Sequence, residues 1–96
     1  MNKVIANKVL TRDKGRCIYC GSPRVELHHI VYKSHQGADS IENLVCLCRH
    51  HHTLVHTDER KYRDELIERQ SGIYGALEIS DLKKKDRYVN FKYSRR

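Results

Sequence analysis

The sequence has little of what marks membrane-embedded, secreted or low-complexity chains. Its 96 residues include one proline and five glycines, which excludes a low-complexity chain. The longest unbroken apolar run, residues 44–48, is five residues long, whereas a membrane helix needs about 20. The first residues lack the apolar core of a secretory signal. We therefore expect one small domain over residues 1–96, cytoplasmic and without a membrane partner.

Charge is abundant but unevenly distributed. Lys and Arg number 19 against 12 Asp and Glu, for a net charge of +7. The positive excess lies in residues 1–16 and 82–96, which flank a slightly acidic centre. Clustered basic side chains are what binding to a phosphate backbone requires, although they are equally typical of a solvated tail. The candidate DNA contacts are Lys83, Lys84, Lys85, Arg87, Arg95 and Arg96.

The cysteines favour a metal site over a disulfide framework, because a cytoplasmic compartment keeps thiols reduced. A CxxC turn is followed, some 30 residues later, by a cysteine and a histidine with the same two-residue spacer. Four such ligands close a tetrahedral structural zinc site, which would stabilise a core this small. The assigned ligands are Cys17, Cys20, Cys48 and His51. Two alternative ligands stay open: Cys46 could bind the zinc in place of Cys48, and His50 in place of His51. Cys46 is nevertheless more typical of a small buried side chain.

Apolar periodicity and turn residues predict a small α+β fold. Two short strands, separated by a polar loop, precede a histidine-rich helix. A second, strongly charged helix follows and should end at Ser71-Gly72. The expected elements are helices at 3–13, from 49 through His56, and at 59–70, strands at 25–31 and 44–47, a loop at 33–40, and an edge strand within 88–93.

The histidines form a second group of candidate ligands, since all seven lie between residues 28 and 56. His52 and His56 are four residues apart on a predicted helix, so they share a face and can share an ion. His28 and His29 are neighbours on a strand, so their side chains diverge. One can reach the metal while the other reaches a substrate that the metal holds. This arrangement suits metal-assisted hydrolysis, with a Lewis acid on a phosphate and a base near neutral pKa on water.

Four segments together resemble the HNH endonuclease family, with His, Asn and His in the family's order and zinc-binding residues between them. They are Cys17-Ile-Tyr-Cys20-Gly, Glu26-Leu-His28-His29-Ile, Glu42-Asn43-Leu-Val, and Leu47 through His56. The resemblance covers about residues 12–57. It implies a ββα-metal core, also called a His-Me finger, in which a two-stranded ribbon and one helix hold a single divalent ion. A structural zinc would staple this core to the flanking helices.

The resemblance also implies a role for each matching residue. His29 matches the general base that activates water for attack on a DNA phosphodiester. His28 matches a metal-ligand position, and Asn43 matches the middle residue, which orients the base or binds the metal. His52 matches the final histidine of the motif, and His56 is a further ligand in members that have an HxxxH helix.

Two positions depart from the family's usual pattern and bear on the metal. His28 stands where aspartate is common, so the catalytic ion would be bound mainly by imidazole. Imidazole suits Zn²⁺, Ni²⁺, Co²⁺ or Mn²⁺ better than Mg²⁺, and we expect these ions to support activity at least as well as Mg²⁺. His51 stands where cysteine is common, which makes the zinc site more sensitive to pH.

Two functions are compatible with these features. The first is a metal-dependent DNA endonuclease that nicks or cuts DNA with water activated by His29, as a monomer or a homodimer. The second is a non-catalytic zinc module that binds nucleic acid or a protein partner. A binding module would need the zinc ligands but would have no use for His28, His29 and His52 together, which favours the endonuclease.

Overall fold

The computed structural model describes residues 1–84 and has the predicted α+β architecture. The elements in chain order are α1 (Lys3–Arg12), β1 (Glu26–His29), β2 (Leu44–Leu47), α2 (Arg49–Val55) and α3 (Glu59–Tyr74), with 3₁₀ turns at Lys33–His35 and Ile79–Leu82. Within residues 1–84, no helix has the length and apolar character needed to cross a membrane. The predicted edge strand at 88–93 lies outside the described residues.

The two strands pair antiparallel and separate two parts of the core. The register places His28 opposite Val45. Val45 packs with Val55 of α2, whereas Cys46, the next residue along β2, packs with Val9 of α1. Because successive strand residues point to opposite faces, the ribbon lies between α1 on one side and α2 on the other. His28 is thereby directed toward α2.

Strand β2 ends one residue before Cys48, which is the N-cap of α2. Cys46 and Cys48 would share a face if the strand continued, but the turn into the helix separates them. Cys46 is fully buried, which confirms the prediction of a small buried side chain. Burial and the nearby Asp13 carboxylate raise the pKa of Cys46 to about 11, so it stays a neutral thiol.

The third helix is four residues longer than predicted, and the expectation that Ser71 and Gly72 end it is wrong. A glycine inside a helix costs only about 1 kcal/mol relative to alanine. The extra turn brings Tyr74 to Arg12, whose guanidinium donates to the Tyr74 hydroxyl at 3.0 Å. The helix ends instead at Gly75, whose positive φ of 92° is one that glycine adopts readily.

A buried carboxylate joins α1 to the ribbon and to α3. Asp13 has no exposed side-chain surface, and it accepts hydrogen bonds from Arg12 at 2.8 Å and from Arg69 at 2.9 Å. It also accepts from the backbone N–H of Cys46 at 3.0 Å. Although burial opposes ionisation, these donors hold the pKa of Asp13 below its ordinary value. Removing one partner of such a buried pair costs about 3–5 kcal/mol, so this contact fixes the helices around the ribbon.

Candidate metal centres and active site

The structure brings the four predicted zinc ligands together. One ligand atom from each lies within 4.8 Å of all the others, and the residues are Cys17, Cys20, Cys48 and His51. The sulfurs of Cys20 and Cys48 are 3.7 Å apart, and the Cys17 sulfur is 3.7 Å from His51 Nδ1. A tetrahedron with zinc–sulfur bonds of about 2.3 Å has edges of about 3.8 Å. These distances fit a zinc ion, and we refer to the four residues as the cysteine cluster.

Local backbone geometry explains why these residues converge. Gly21, at φ 80°, donates its N–H to the Cys17 carbonyl at 2.8 Å and closes the CxxC turn. Cys48 is the N-cap of α2, which places His51 one helical turn later on the same side. Although burial opposes ionisation, backbone N–H groups, that of Cys48 foremost, hold the pKa of Cys17 below its ordinary value. This favours the thiolate, which is the form that binds metal.

Neither of the alternative zinc ligands joins the cysteine cluster. Cys46 faces the α1 side of the ribbon, and His50 is exposed at the start of α2. The His51 ring lies in the cysteine cluster, and the Tyr19 ring stacks against it with 5.3 Å between the ring centroids. The geometry therefore favours the original assignment of Cys48 and His51.

Three of the remaining histidines form a second group, which we call the histidine cluster and which consists of His28, His52 and His56. The ring centroids of His28 and His52 are 5.0 Å apart, and those of His28 and His56 are 5.6 Å apart. Each ring offers one nitrogen within 4.8 Å of the others. Burial first, and then the neighbouring His52 and His56, lower the pKa of His28 to about 3. Its imidazole is therefore neutral at neutral pH, with a lone pair free to bind a metal.

Two rings of the histidine cluster are held from outside it. Glu26 Oε1 lies 2.7 Å from His52 Nδ1, and the Tyr32 hydroxyl lies 2.8 Å from His56 Nδ1. The hydrogen bond with His52 is the main cause that lowers the pKa of Glu26. An ionised carboxylate can only accept, so Nδ1 of His52 carries the proton and Nε2 keeps its lone pair for an ion.

His29 is not part of the histidine cluster and has a carboxylate partner of its own. Its Nε2 lies 2.6 Å from Oδ1 of Asp39. This hydrogen bond is the main cause that lowers the pKa of Asp39, which therefore accepts the proton on Nε2. Nδ1 of His29 is then the unprotonated nitrogen, which is the atom able to take a proton from water.

Asn43 bonds to backbone rather than to a histidine of this cluster. Its side chain is fully buried and its Oδ1 accepts from the Val31 N–H at 2.8 Å. Its Nδ2 donates to the carbonyls of Val31 at 3.1 Å and Ala38 at 2.9 Å. Both polar atoms of the amide are thus engaged by backbone of the loop between the strands. These bonds support the orienting role that the resemblance implies for Asn43, and its role as a metal ligand stays a prediction.

Two of the six predicted DNA contacts lie next to this loop. Lys83 pairs with Gly37 through an isolated antiparallel bridge, and the backbone N–H of Lys84 donates to the Gln36 carbonyl at 2.7 Å. Lys83 also lines a cavity of about 280 Å³ beside His28. The other four, Lys85, Arg87, Arg95 and Arg96, lie outside the described residues.

Sequence reasoning missed three residues that touch the histidines. Glu26 is two residues before His28, and period-2 alternation places both on the face toward α2, so this contact was open to prediction. Asp39 and Tyr32 belong to an irregular loop without periodicity, and nothing in the local pattern pairs Asp39 with His29 or Tyr32 with His56.

Comparison with known proteins agrees with the geometry. Residues 17–58 match the HNH endonuclease family. The chain is also 36% identical over 70 residues to the type IV methyl-directed restriction enzyme EcoKMcrA of Escherichia coli strain K12, a match covering 62% of this chain and 24% of that protein. The chain thus spans about a quarter of the length of the curated relative it matches. The family match begins at the first zinc ligand and ends just beyond His56, so it contains both clusters. The two matches together support membership of this chain in the HNH endonuclease family.

Proposed function

We propose that this protein is a metal-dependent DNA endonuclease that hydrolyses phosphodiester bonds with His29 as general base. The observation that carries the proposal is the convergence of His28, His52 and His56 beside a histidine that is separately held by a carboxylate. Three ligands leave coordination positions for substrate and water, as catalytic sites require. The family match and the restriction-enzyme relative support DNA as the substrate.

His29 is assigned to the proton of the attacking water. Asp39 fixes the tautomer in which Nδ1 is free, and Nδ1 takes a proton as the water oxygen bonds to phosphorus. The ester bond to the leaving oxygen then breaks, and that oxygen gains a proton from solvent. Such a base contributes about 10²- to 10⁴-fold to the rate.

The histidine cluster is assigned to one divalent ion, with His28, His52 and His56 as ligands. A bound ion would act as a Lewis acid on the phosphate and offset its developing negative charge. Glu26 orients His52 for this purpose through Nδ1. Asn43 acts at a distance, because it holds the loop next to the site.

We assign a structural zinc to the cysteine cluster, and we assign DNA binding to the basic residues of segment 82–96. Four protein ligands complete the coordination of zinc and leave no position for substrate. Phosphates would be contacted by Lys83, which lines the cavity beside His28, and by Lys84, Lys85, Arg87, Arg95 and Arg96. Such contacts position DNA without reading its sequence.

The test is relaxation of supercoiled plasmid by the zinc-loaded protein with Mg²⁺, Mn²⁺, Ni²⁺, Co²⁺ or Zn²⁺ added singly. We expect nicking with Mn²⁺, Ni²⁺ or Co²⁺ at rates at least equal to that with Mg²⁺, because the site is all imidazole. Cleavage with Mg²⁺ and none of the others would contradict the ligand assignment. DNA binding without cleavage by any ion would favour the non-catalytic zinc module.

A further inference from the structure

We propose that Tyr32 is a positioning residue for the third metal ligand, His56, which it holds in place through its phenol oxygen. This inference rests on the proposed metal site. It assigns a task to a loop residue that carries no metal-ligand or catalytic group.

His56 is the ligand with the least support from its own helix. It is the C-cap of α2, a helix of seven residues, and its side chain is exposed. Helix ends fray, and an exposed side chain samples several rotamers. His28, by contrast, is buried on β1, and His52 lies inside α2. A hydrogen-bond partner that fixes the ring should therefore improve metal binding more at His56 than at His28 or His52.

Tyr32 meets the ring of His56 in two ways. Its hydroxyl lies 2.8 Å from Nδ1, and the two ring centroids are 5.2 Å apart. The Tyr32 ring also packs edge-on against His28 at 6.0 Å and stacks on His35 at 6.0 Å. Tyr32 thus touches one ligand through its ring and a second through its oxygen, and it spans the outer side of the histidine cluster.

The backbone on either side of Tyr32 is fixed. The Asn43 amide bonds to both the N–H and the carbonyl of Val31. The Gly37 N–H donates to the Tyr32 carbonyl at 2.8 Å. A Cβ on Gly37 would lie 1.7 Å from the Val31 carbonyl oxygen, so this close approach requires glycine. Asn43 therefore reaches the metal site through Tyr32, which gives the middle residue of the motif a physical link to His56.

In the hydrogen bond between Tyr32 and His56, metal binding favours the histidine as the donor. A histidine that binds an ion through Nε2 needs the lone pair of that nitrogen, so its ring proton lies on Nδ1. In that form the Nδ1–H of His56 donates to the phenol oxygen of Tyr32 across the 2.8 Å contact. Nε2 of His56 then keeps its lone pair for the ion, the same orientation that Glu26 imposes on His52.

The experiment measures metal binding rather than cleavage. Protein holding its structural zinc is titrated with Ni²⁺ by calorimetry, as wild type, Tyr32→Phe and the control Tyr62→Phe. Tyr32→Phe keeps the ring and removes the oxygen, and Ni²⁺ affinity should fall about 10- to 100-fold, the usual effect of losing an outer partner of a ligand. Tyr62 lines the same cavity without a hydrogen bond to the histidine cluster among residues 1–84, so Tyr62→Phe should match wild type.

A double-mutant cycle shows whether Tyr32 acts through His56. In a His56→Ala background, Tyr32→Phe should cause no further loss of Ni²⁺ affinity. Zinc content and the thermal midpoint without Ni²⁺ should stay at the wild-type values, because the effect is confined to one ligand.

The outcomes separate the inference from the function it rests on. Equal Ni²⁺ affinity for wild type and Tyr32→Phe, or additive losses in the cycle, would overturn the role of Tyr32 and leave the metal site standing. Failure of wild type to bind any Ni²⁺ beyond its zinc would overturn the metal site and the role of Tyr32 with it.

Discussion

The cysteine cluster and the histidine cluster share helix α2 but are built differently. In the cysteine cluster the ligand atoms lie against one another, with the Cys20 and Cys48 sulfurs 3.7 Å apart, and backbone N–H groups favour the thiolate of Cys17. In the histidine cluster two ligands have side-chain partners outside the group, Glu26 and Tyr32. A closed set of four ligands stabilises a fold, whereas three ligands, two of them braced by outside partners, can hold an ion and leave coordination positions for substrate and water.

The three consecutive histidines of α2 show how one helix serves both clusters. Successive helical residues are rotated by about 100°, so His51 faces the cysteine cluster and His52 faces the histidine cluster. His50 is exposed and joins neither. Each histidine is therefore assigned by its angle around the helix rather than by its chemistry.

Of the changes that distinguish the two clusters, removal of a zinc ligand should have the largest effect, because it should destabilise the whole fold. Cys48→Ser takes away one of four ligands and the N-cap sulfur of α2, and structural zinc contributes about 10–16 kcal/mol of apparent binding energy. We expect loss of bound zinc and of most of the cooperative thermal transition, measured by metal analysis and circular dichroism.

Cys46→Ala is the matched control for that prediction. It removes a buried thiol outside both clusters, two residues away. It should keep one zinc per chain and cost about 1 kcal/mol of stability. Zinc retained by Cys48→Ser and lost by Cys46→Ala would reverse the ligand assignment.

Asp39, the carboxylate beside His29, belongs to neither cluster. A change at this residue therefore tests the proposed base separately from both metal sites. Asp39→Asn can no longer hold the His29 tautomer as an ionised acceptor, and nicking should slow about 10- to 100-fold. Metal content should not change. Asp64→Asn, which alters an exposed carboxylate on α3, should nick at the wild-type rate, and a normal rate for Asp39→Asn would remove Asp39 from the mechanism.

The basic C-terminal segment should have the smallest effect on the two clusters. Leu82 is fully buried and Lys83 pairs with Gly37, so the chain is best shortened after Lys84. Removing residues 85–96 should weaken DNA binding about tenfold and flatten its dependence on salt, since fewer counterions are released. Both metals should stay bound. An unchanged salt slope in a fluorescence anisotropy titration would make this segment a solvated tail.

The sequence predicted the parts of the site that depend on regular spacing. The CxxC turn, the Cys48–His51 spacer and the His52–His56 pair follow from turn and helix geometry, and all of them converge as expected. The end of α3 was mispredicted because Tyr74 gains a partner in Arg12 that lies 62 residues away in the chain. Tyr32 and Asp39 escaped prediction for a similar reason, since the irregular loop that carries them is shaped by contacts with Asn43.

The most direct test of the central claim compares wild type, His29→Ala and His50→Ala for plasmid nicking and metal content. The account predicts that wild type and His50→Ala nick DNA, while His29→Ala loses about 10²-fold or more of the rate. All three should hold one tight zinc and bind one further ion. Undiminished nicking by His29→Ala, or loss of the second ion in that variant, would contradict the assignment of His29 as a base separate from the histidine cluster.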